Sequence, residues 1–169
     1  MLQTSFNSIM ERVRFSCLTD KRKLKEFLNE LDEETWRHWY RFGRDAETAY
    51  SNILSTDNVL FTVGTLDDKI ISLAYLDRFY PNKKHCRFGI VVHPSYRGRK
   101  IGTEHVKYIL RIARELGVEK ICLSVDTRNK AALKLYQKFG WKIVTFFPDN
   151  KTRCEMELVL KEVKRNEVA

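Results

Sequence analysis

Hydrophobic and polar positions change period several times along the chain, and each change predicts a new element of secondary structure. Residues 13–18 alternate as a first strand, after which Thr19 or Asp20 can cap a helix. The apolar positions of that helix recur at Leu24, Phe27, Leu28 and Leu31. A second helical stretch runs from residue 32 to residue 54, with a break at Gly43.

The remaining pattern predicts a hairpin and then an alternation of strands and helices. The hairpin joins residues 59–63 and 70–79 through a turn at 67–69. The later elements are a strand at 85–92, a helix at 103–116, a strand at 120–126, a helix at 130–139 and closing strands at 141–147 and 152–160. This order is typical of an α/β or α+β fold, with a mixed central sheet of about six to seven strands and helices on both faces. The helix at 103–116 joins the strands at 85–92 and 120–126 in a right-handed parallel crossover.

The length and the terminal segments of the chain indicate its domain organisation and its localisation. We expect one compact domain over residues 1–169, with flexible ends at 1–10 and 161–169. No apolar run approaches the roughly 18 residues of a membrane span. The polar first residues also lack the apolar core of a signal peptide. We therefore expect a cytoplasmic protein with no membrane partner.

Cysteine and histidine are scattered along the chain, so they do not predict a metal centre. The eight residues are Cys17, Cys86, Cys122, Cys154, His38, His85, His93 and His105. None has the CxxC or CxxH spacing of a structural zinc site. We expect no bound metal.

Charge favours an anionic partner. The net charge is +9, from 31 basic and 22 acidic residues, and such a balance attracts polyanions. Nucleic acid, an anionic membrane surface and a phosphorylated cofactor are all anionic and fit this charge. The basic residues are spread along the chain, which is typical of a solvated surface, and only the cluster at 97–100 is concentrated by its position.

The basic cluster belongs to the segment RGRKIG at residues 97–102, between an apolar strand and an amphipathic helix. His93 and Pro94 end the strand, because proline has no N–H for a sheet ladder. Unpaired N–H groups and the helix dipole favour an anion at a helix N-terminus. The segment lacks the spacing of a Walker loop and of GxGxxG. It therefore predicts a phosphate-binding loop of another type.

Two segments, VVHPSYRGRKIG and LSVDTRNKAALKLYQKFGW, resemble the core of the GNAT superfamily of acyl-CoA N-acyltransferases. The matching residues are Val92, Pro94, Arg97 and Gly102 in the first segment, and Asn129, Ala132, Leu135, Tyr136, Gly140 and Trp141 in the second. The resemblance covers about residues 11–160 and implies the GNAT fold, with a mostly antiparallel sheet and one splayed parallel pair. Lys100 stands where the family usually has its first glycine, and a left-handed backbone there costs a lysine about 1 kcal/mol or more.

The resemblance implies acetyl-CoA as the cosubstrate. Its pyrophosphate would lie on the backbone N–H groups of residues 97–103, and its pantetheine arm would pair with the strand before the loop. The cofactor-binding residues implied in this way are Val91, Val92, Arg97, Gly98, Arg99, Lys100, Ile101, Gly102, Thr103, Asn129 and Tyr136. Asn129 also stands where a helix N-cap is expected.

The resemblance also implies candidate catalytic groups. Tyr136 coincides with the tyrosine that protonates the departing CoA thiolate in many relatives, although an aromatic on this helix is equally typical of a core. Arg87 occupies the position where many relatives have a glutamate base. The proton of the amine then leaves through water or through Asp126, which also suits a loop or cap. Arg87 itself could hold an acidic group of the substrate.

The acceptor region of such enzymes corresponds here to residues 31–44. Trp36 and Tyr40 could form a pocket wall, but aromatic residues at helical spacing are also typical of packing. Glu34 suits a cationic amine, and it equally suits the first turn of a helix. Together with Arg87, these three residues are the substrate-binding candidates.

The resemblance implies an acetyl-CoA-dependent N-acetyltransferase, in which a primary amine attacks the thioester directly. The acceptor is a small-molecule amine, a protein lysine or an N-terminus. Two alternatives stay open, a basic nucleic-acid or ribosome-associated module and a protein that binds acyl-CoA without turnover. The chain lacks known RNA-binding motifs, which makes nucleic acid the less favoured partner. Pairing of two copies through the last two strands also stays open.

Overall fold

The computed structural model describes residues 9–77 and 84–160, and these contain one mixed sheet of seven strands. The strands are β1 (Arg14–Cys17), β2 (Val59–Leu66), β3 (Lys69–Asp77), β4 (His85–Val92), β5 (Lys120–Asp126), β6 (Lys142–Phe147) and β7 (Asn150–Val159). Their order is β1-β2-β3-β4-β5-β7-β6, and only β4 and β5 run parallel. The predicted sheet, with its single parallel pair, is confirmed.

Five labelled helices accompany the sheet in the described part of the chain. They are α1 (Lys21–Asn29), α2 (Glu33–His38), α3 (Ala46–Ser55), α4 (Ile101–Glu115) and α5 (Lys130–Lys138). Asp20, Asp32, Asp45 and Asn129 cap four of them, each through a side-chain oxygen that accepts a backbone N–H three residues later. The predicted caps at Asp20 and Asn129 are therefore confirmed. Gly43 lies in the break between α2 and α3, where a Cβ would be 2.7 Å from the Ala49 nitrogen.

The helices lie on both faces of the sheet, as predicted. Helices α4 and α5 pack on one face, where Trp141 is the largest fully buried side chain. Helices α1, α2 and α3 pack on the other face, where Phe27 and Leu28 are fully buried. Burial on both faces explains why β3 reads as an almost continuous apolar run from Ile70 to Leu76.

Several observed boundaries of helices and chain ends differ from those predicted from the sequence. Helix α4 begins at Ile101, two residues before the predicted start. Of the predicted flexible ends, 1–8 and 161–169 lie outside the described residues, whereas Ile9 and Met10 pack against a small buried cluster. The predicted end of the hairpin at 78–79 also lies outside them. Within the described segments no helix has the length and apolar character that a membrane crossing needs.

The parallel strands β4 and β5 separate after a short paired region. They pair only from His85 with Lys120 to Arg87 with Cys122. Beyond that point β4 stays paired with β3 and β5 stays paired with β7, so a gap opens in the middle of the sheet. A Cβ at Gly89, on the open part of β4, would lie 2.4 Å from a ring carbon of Tyr75. Glycine at this position therefore lets the tyrosine ring lie across the strand beside the gap.

Candidate active site

A groove of about 710 Å³ runs from the gap to the N-terminus of α4, and we call it the long groove. Ten of the eleven predicted cofactor residues line it: Val91, Val92, Arg97, Gly98, Lys100, Ile101, Gly102, Thr103, Asn129 and Tyr136. The eleventh, Arg99, does not line it, and its guanidinium lies 5.7 Å from the centre of the Tyr96 ring. The structure thus brings together almost the whole set.

The loop that ends the long groove leaves the start of α4 open to a ligand. Lys100 is the N-cap of α4, with φ of 59° and ψ of 10°, and its side chain makes no capping hydrogen bond. The other four labelled helices are each capped by a carboxylate or amide oxygen. Backbone N–H groups in the first turn of a helix need an acceptor. At α4 an anion in the groove can be that acceptor.

Two side chains from the loop hold it against the first helices. The His93 Nδ1 accepts a hydrogen bond from the Ser95 N–H at 3.1 Å, so the proton is on Nε2, which donates to Glu30 Oε2 at 2.8 Å. Arg97 donates to the Thr35 hydroxyl and to the Asp32 carboxylate, the latter at 3.4 Å. Arg97 therefore lines the groove but also connects the loop to the N-terminus of α2.

Cationic side chains from α5 face the loop across the long groove. Lys130, Lys134 and Lys138 are spaced four residues apart, and such residues share one face of a helix. Arg128 lines the same wall just before the helix. Sequence reasoning missed these residues as ligand contacts, although the spacing of four was visible in the printed chain. Their charges make the groove suitable for a ligand with more than one phosphate group.

A second cavity of about 390 Å³, which we call the inner cavity, lies where β4 and β5 separate. Three arginines line it, Arg41, Arg87 and Arg153. Of the predicted substrate residues, Tyr40 and Arg87 line the inner cavity, whereas Glu34 lines the long groove. Trp36 lines neither, and its ring packs 6.1 Å from that of Trp39.

The long groove and the inner cavity share one wall. The residues that line both are His38, Trp39, Ile90, Asn129, Ala132 and Tyr136. A ligand in either space therefore reaches the same short stretch of β4 and the same face of α5. Two reactants bound in the two spaces would meet at this wall.

Tyr136 lies in the core and also lines both spaces, whereas its predicted role as a proton donor stays a prediction. Its ring packs edge-on against Phe88, with 6.1 Å between ring centroids, and beside Trp141. Burial raises the pKa of its hydroxyl well above the ordinary phenol value, with a smaller contribution from Tyr75. The residue is thus part of the core, it lines the shared wall, and burial keeps its hydroxyl protonated.

Asp126 lines the inner cavity, next to the shared wall, but its carboxylate is already bound. Arg128 donates to it from Nη2 at 2.6 Å, from Nε at 3.0 Å and from its backbone N–H at 2.9 Å. The Arg128 side-chain hydrogen bond is the main cause that lowers the pKa of Asp126 to about 2, and the charge of His38 contributes. A carboxylate with such a pKa is a weak base at neutral pH.

Comparison with known proteins agrees with this architecture. A family described as the acetyltransferase (GNAT) family matches residues 25–141. An uncharacterized N-acetyltransferase of Bacillus subtilis, YdgE, is 31% identical over 67 residues, which are 40% of this chain and 43% of YdgE. The chain spans less than half the length of the curated relatives that it matches.

Solved structures with low sequence identity have the same fold. The GNAT domain of S. lividans PAT superposes with a TM-score of 0.76 at 17% identity, covering 88% of this chain and 90% of that domain. The putative acetyltransferase yncA of Salmonella typhimurium, solved with its cofactor acetyl-CoA, superposes with a TM-score of 0.72 at 14% identity. That match covers 94% of this chain and 99% of yncA. Since the family match covers more than half of the sequence, the chain belongs to the GNAT acetyltransferase family.

Proposed function

We propose that this protein is an acetyl-CoA-dependent N-acetyltransferase, with acetyl-CoA in the long groove and a primary amine in the inner cavity. The observation that carries the proposal is the wall shared by the two spaces, which includes Tyr136. The structure of yncA with acetyl-CoA supports the choice of donor. A membership in the GNAT family supports the choice of reaction.

The residues of the long groove suit the parts of this donor. The uncapped N–H groups at the start of α4 suit the pyrophosphate, and Lys130, Lys134 and Lys138 suit further phosphate charge. The open edge of β4 at Val91 and Val92 offers backbone groups to an extended amide-containing arm. Bound acetyl-CoA would supply an acyl group activated as a thioester.

Two side chains at the shared wall are assigned to proton transfer. Tyr136, kept protonated by burial, donates a proton to the leaving sulfur. His38 lies on the same wall, and its imidazole is assigned as the acceptor of the amine proton. Asp126, which is held by Arg128, contributes a fixed negative charge toward His38.

A two-stage experiment tests this proposal. Acetyl-CoA is first titrated into the folded protein by calorimetry, and saturable binding is expected. Release of free CoA thiol is then measured with a panel of amines, amino acids and peptides, each against a control without protein. A folded sample with no saturable acetyl-CoA binding would overturn the proposal at its first stage. Saturable binding with no thiol release from any acceptor would support the alternative of a protein that binds acyl-CoA without turnover.

A further inference from the structure

We propose that the acceptor is a small amine that also carries a carboxylate, and that Arg153 binds this carboxylate in the inner cavity. The inference rests on the proposed function, since it names the acceptor class of the same site. It starts from the balance of charge around the inner cavity.

Two of the three cavity arginines are neutralised by acidic residues of the protein. Arg41 pairs with the buried carboxylate of Asp77. Arg87 donates to Glu155 at 2.9 Å, and both side chains are largely shielded from solvent. The charge of Arg87, which the sequence suggested for an acidic substrate group, is therefore already compensated.

Arg153 differs from these two arginines. In the described part of the chain it has no carboxylate oxygen within 4.0 Å. Asp126 lies directly opposite it in the register of β5 and β7, but the Asp126 carboxylate is bound by Arg128. The inner cavity thus contains one arginine whose charge no carboxylate of residues 9–77 and 84–160 neutralises.

The contacts of Arg153 orient its guanidinium and leave part of its donor set available. One nitrogen, Nη2, donates to the Ser124 hydroxyl at 2.8 Å. The guanidinium carbon lies 4.7 Å from the centre of the Tyr40 ring and 5.7 Å from that of Phe147. A guanidinium has five N–H donors in a planar fork, and this fork matches a carboxylate. Arg153 is therefore a preoriented group with donors left for an anion.

The position of Arg153 suits an acceptor of limited size. Arg153 and Tyr136 both line the inner cavity, so one molecule can place its carboxylate at the first and its amine near the second. The cavity volume of about 390 Å³ lies near the lower end of the range for small-molecule sites. A polyamine would bring further positive charge next to Arg153, which has no ion pair among the described residues, and is therefore disfavoured.

The test compares matched acceptors that differ only at the carboxylate. Amino acids are assayed beside their carboxamides and the corresponding decarboxylated amines, such as lysine, lysinamide and cadaverine, in the thiol-release assay. We expect kcat/KM to be about tenfold or more higher for the carboxylate forms, mainly through a lower KM. Carboxamides or decarboxylated amines that react equally well or better would overturn the inference.

Variants of Arg153 connect that preference to the residue. Arg153→Gln is expected to abolish the preference for the carboxylate, and Arg153→Lys to retain part of it, since it keeps the charge but not the fork. Arg111→Gln is the matched control, because Arg111 lies 5.3 Å over the Tyr108 ring on the exposed surface of α4. A preference that survives in Arg153→Gln, with the fold confirmed by circular dichroism, contradicts the inference.

The failure of this inference can be distinguished from the failure of the proposed function. If acetyl-CoA binds and only neutral or polycationic amines, proteins or peptides are acetylated, the proposed function stands and the carboxylate inference is wrong. If acetyl-CoA binds and no acceptor in the panel reacts, the carboxylate inference also fails, because the panel includes the amino acids. If acetyl-CoA does not bind, the proposed function itself fails.

Discussion

The long groove and the inner cavity meet at one wall, but the chain builds them in different ways. The long groove consists mainly of two continuous segments, the loop before α4 and the first turns of α5. The inner cavity is lined by residues from six separate places, at 38–41, 75, 87–90, 124–126, 129–136 and 153. The groove depends on backbone geometry that short motifs encode. The cavity depends on pairings between residues that are distant in sequence.

Because the two spaces are built differently, they recognise different features of a ligand. Backbone N–H groups at a helix N-terminus bind any phosphate of suitable shape, so a groove of this kind suits one donor in many proteins. The charge of the inner cavity depends on which acidic residue reaches which arginine. Under the proposed function, we expect a single substitution there to change the acceptor without changing the donor.

The largest effect is expected at the shared wall, where both spaces contribute. Tyr136→Phe removes the proposed proton donor while keeping the ring that packs on Phe88 and Trp141. We expect kcat to fall by about 100-fold or more, with little change in acetyl-CoA affinity. Steady-state kinetics and calorimetry measure the two quantities.

The control for this variant is Tyr108→Phe, because Tyr108 lies on α4 and lines neither the groove nor the cavity. An unchanged kcat in Tyr136→Phe would exclude the proton-donor role. A large loss of acetyl-CoA affinity together with kcat would indicate that Tyr136 positions the donor instead.

The next effect concerns the helix that carries the groove. His105 on α4 is fully buried between Ser72, at 2.8 Å from Nδ1, and Thr62, at 2.9 Å from Nε2. Burial lowers the pKa of His105 from 6.5 to about 3. The unfolded chain therefore binds a proton that the folded protein does not between these pH values. The contribution of the neutral His105 to the unfolding free energy is fully present above pH 6.5. It decreases as the pH falls toward 3, by about 1.4 kcal/mol per pH unit.

Urea unfolding between pH 4 and pH 7 measures this dependence. In His105→Gln the slope of the unfolding free energy against pH is expected to decrease by about one proton. His38→Gln is the control, because His38 is exposed. Equal slopes in His105→Gln and in the unchanged protein would mean that His105 does not carry the pH dependence.

A smaller effect distinguishes the two candidate proton acceptors in the inner cavity. We expect His38→Gln to reduce kcat/KM for the amine by about tenfold, because the proposed proton acceptor is removed. Asp126→Asn removes the nearby charge but leaves the imidazole, so its effect on kcat/KM should be smaller. If Asp126→Asn reduces kcat/KM more than His38→Gln does, the carboxylate is the base and the assignment must be reversed.

The smallest effect concerns the backbone of the loop. Lys100 has φ of 59°, a left-handed conformation that glycine adopts more easily than lysine. Lys100→Gly is expected to raise the unfolding free energy by about 1 kcal/mol or less, with little change in acceptor kinetics. Lys100→Ala keeps a Cβ and is the matched control, which should show no such gain. A loss of stability in Lys100→Gly greater than in Lys100→Ala would contradict this explanation.

The sequence predicted the groove well because its chemistry is local. Pro94, the glycines of the loop and the cap at Asn129 each act within a few residues of themselves, so their pattern is sufficient. The lysine face of α5 also follows from local spacing, but the sequence prediction did not include it among the ligand contacts. Arg99 was the exception, since its side chain turns to Tyr96 and only the fold sets that direction.

The sequence predicted the cavity less well because its chemistry depends on partners. Arg87 is neutralised by Glu155, which is 68 residues away, and Asp126 is held by Arg128 rather than by the opposite Arg153. Neither pairing follows from spacing. The sequence gives no site role to His38, because a histidine near the end of a short helix has no distinctive pattern.

The sequence by itself therefore determined the order of the elements, the family and the loop at the N-terminus of α4. These follow from hydrophobic period, capping and turn chemistry, which act over a few residues and leave a pattern in the chain. The tertiary structure decided which of the arginines is uncompensated, which side chain shares the wall with Tyr136 and where β4 and β5 separate. Such features depend on side chains from distant segments that come within a few ångströms of one another only in the folded state.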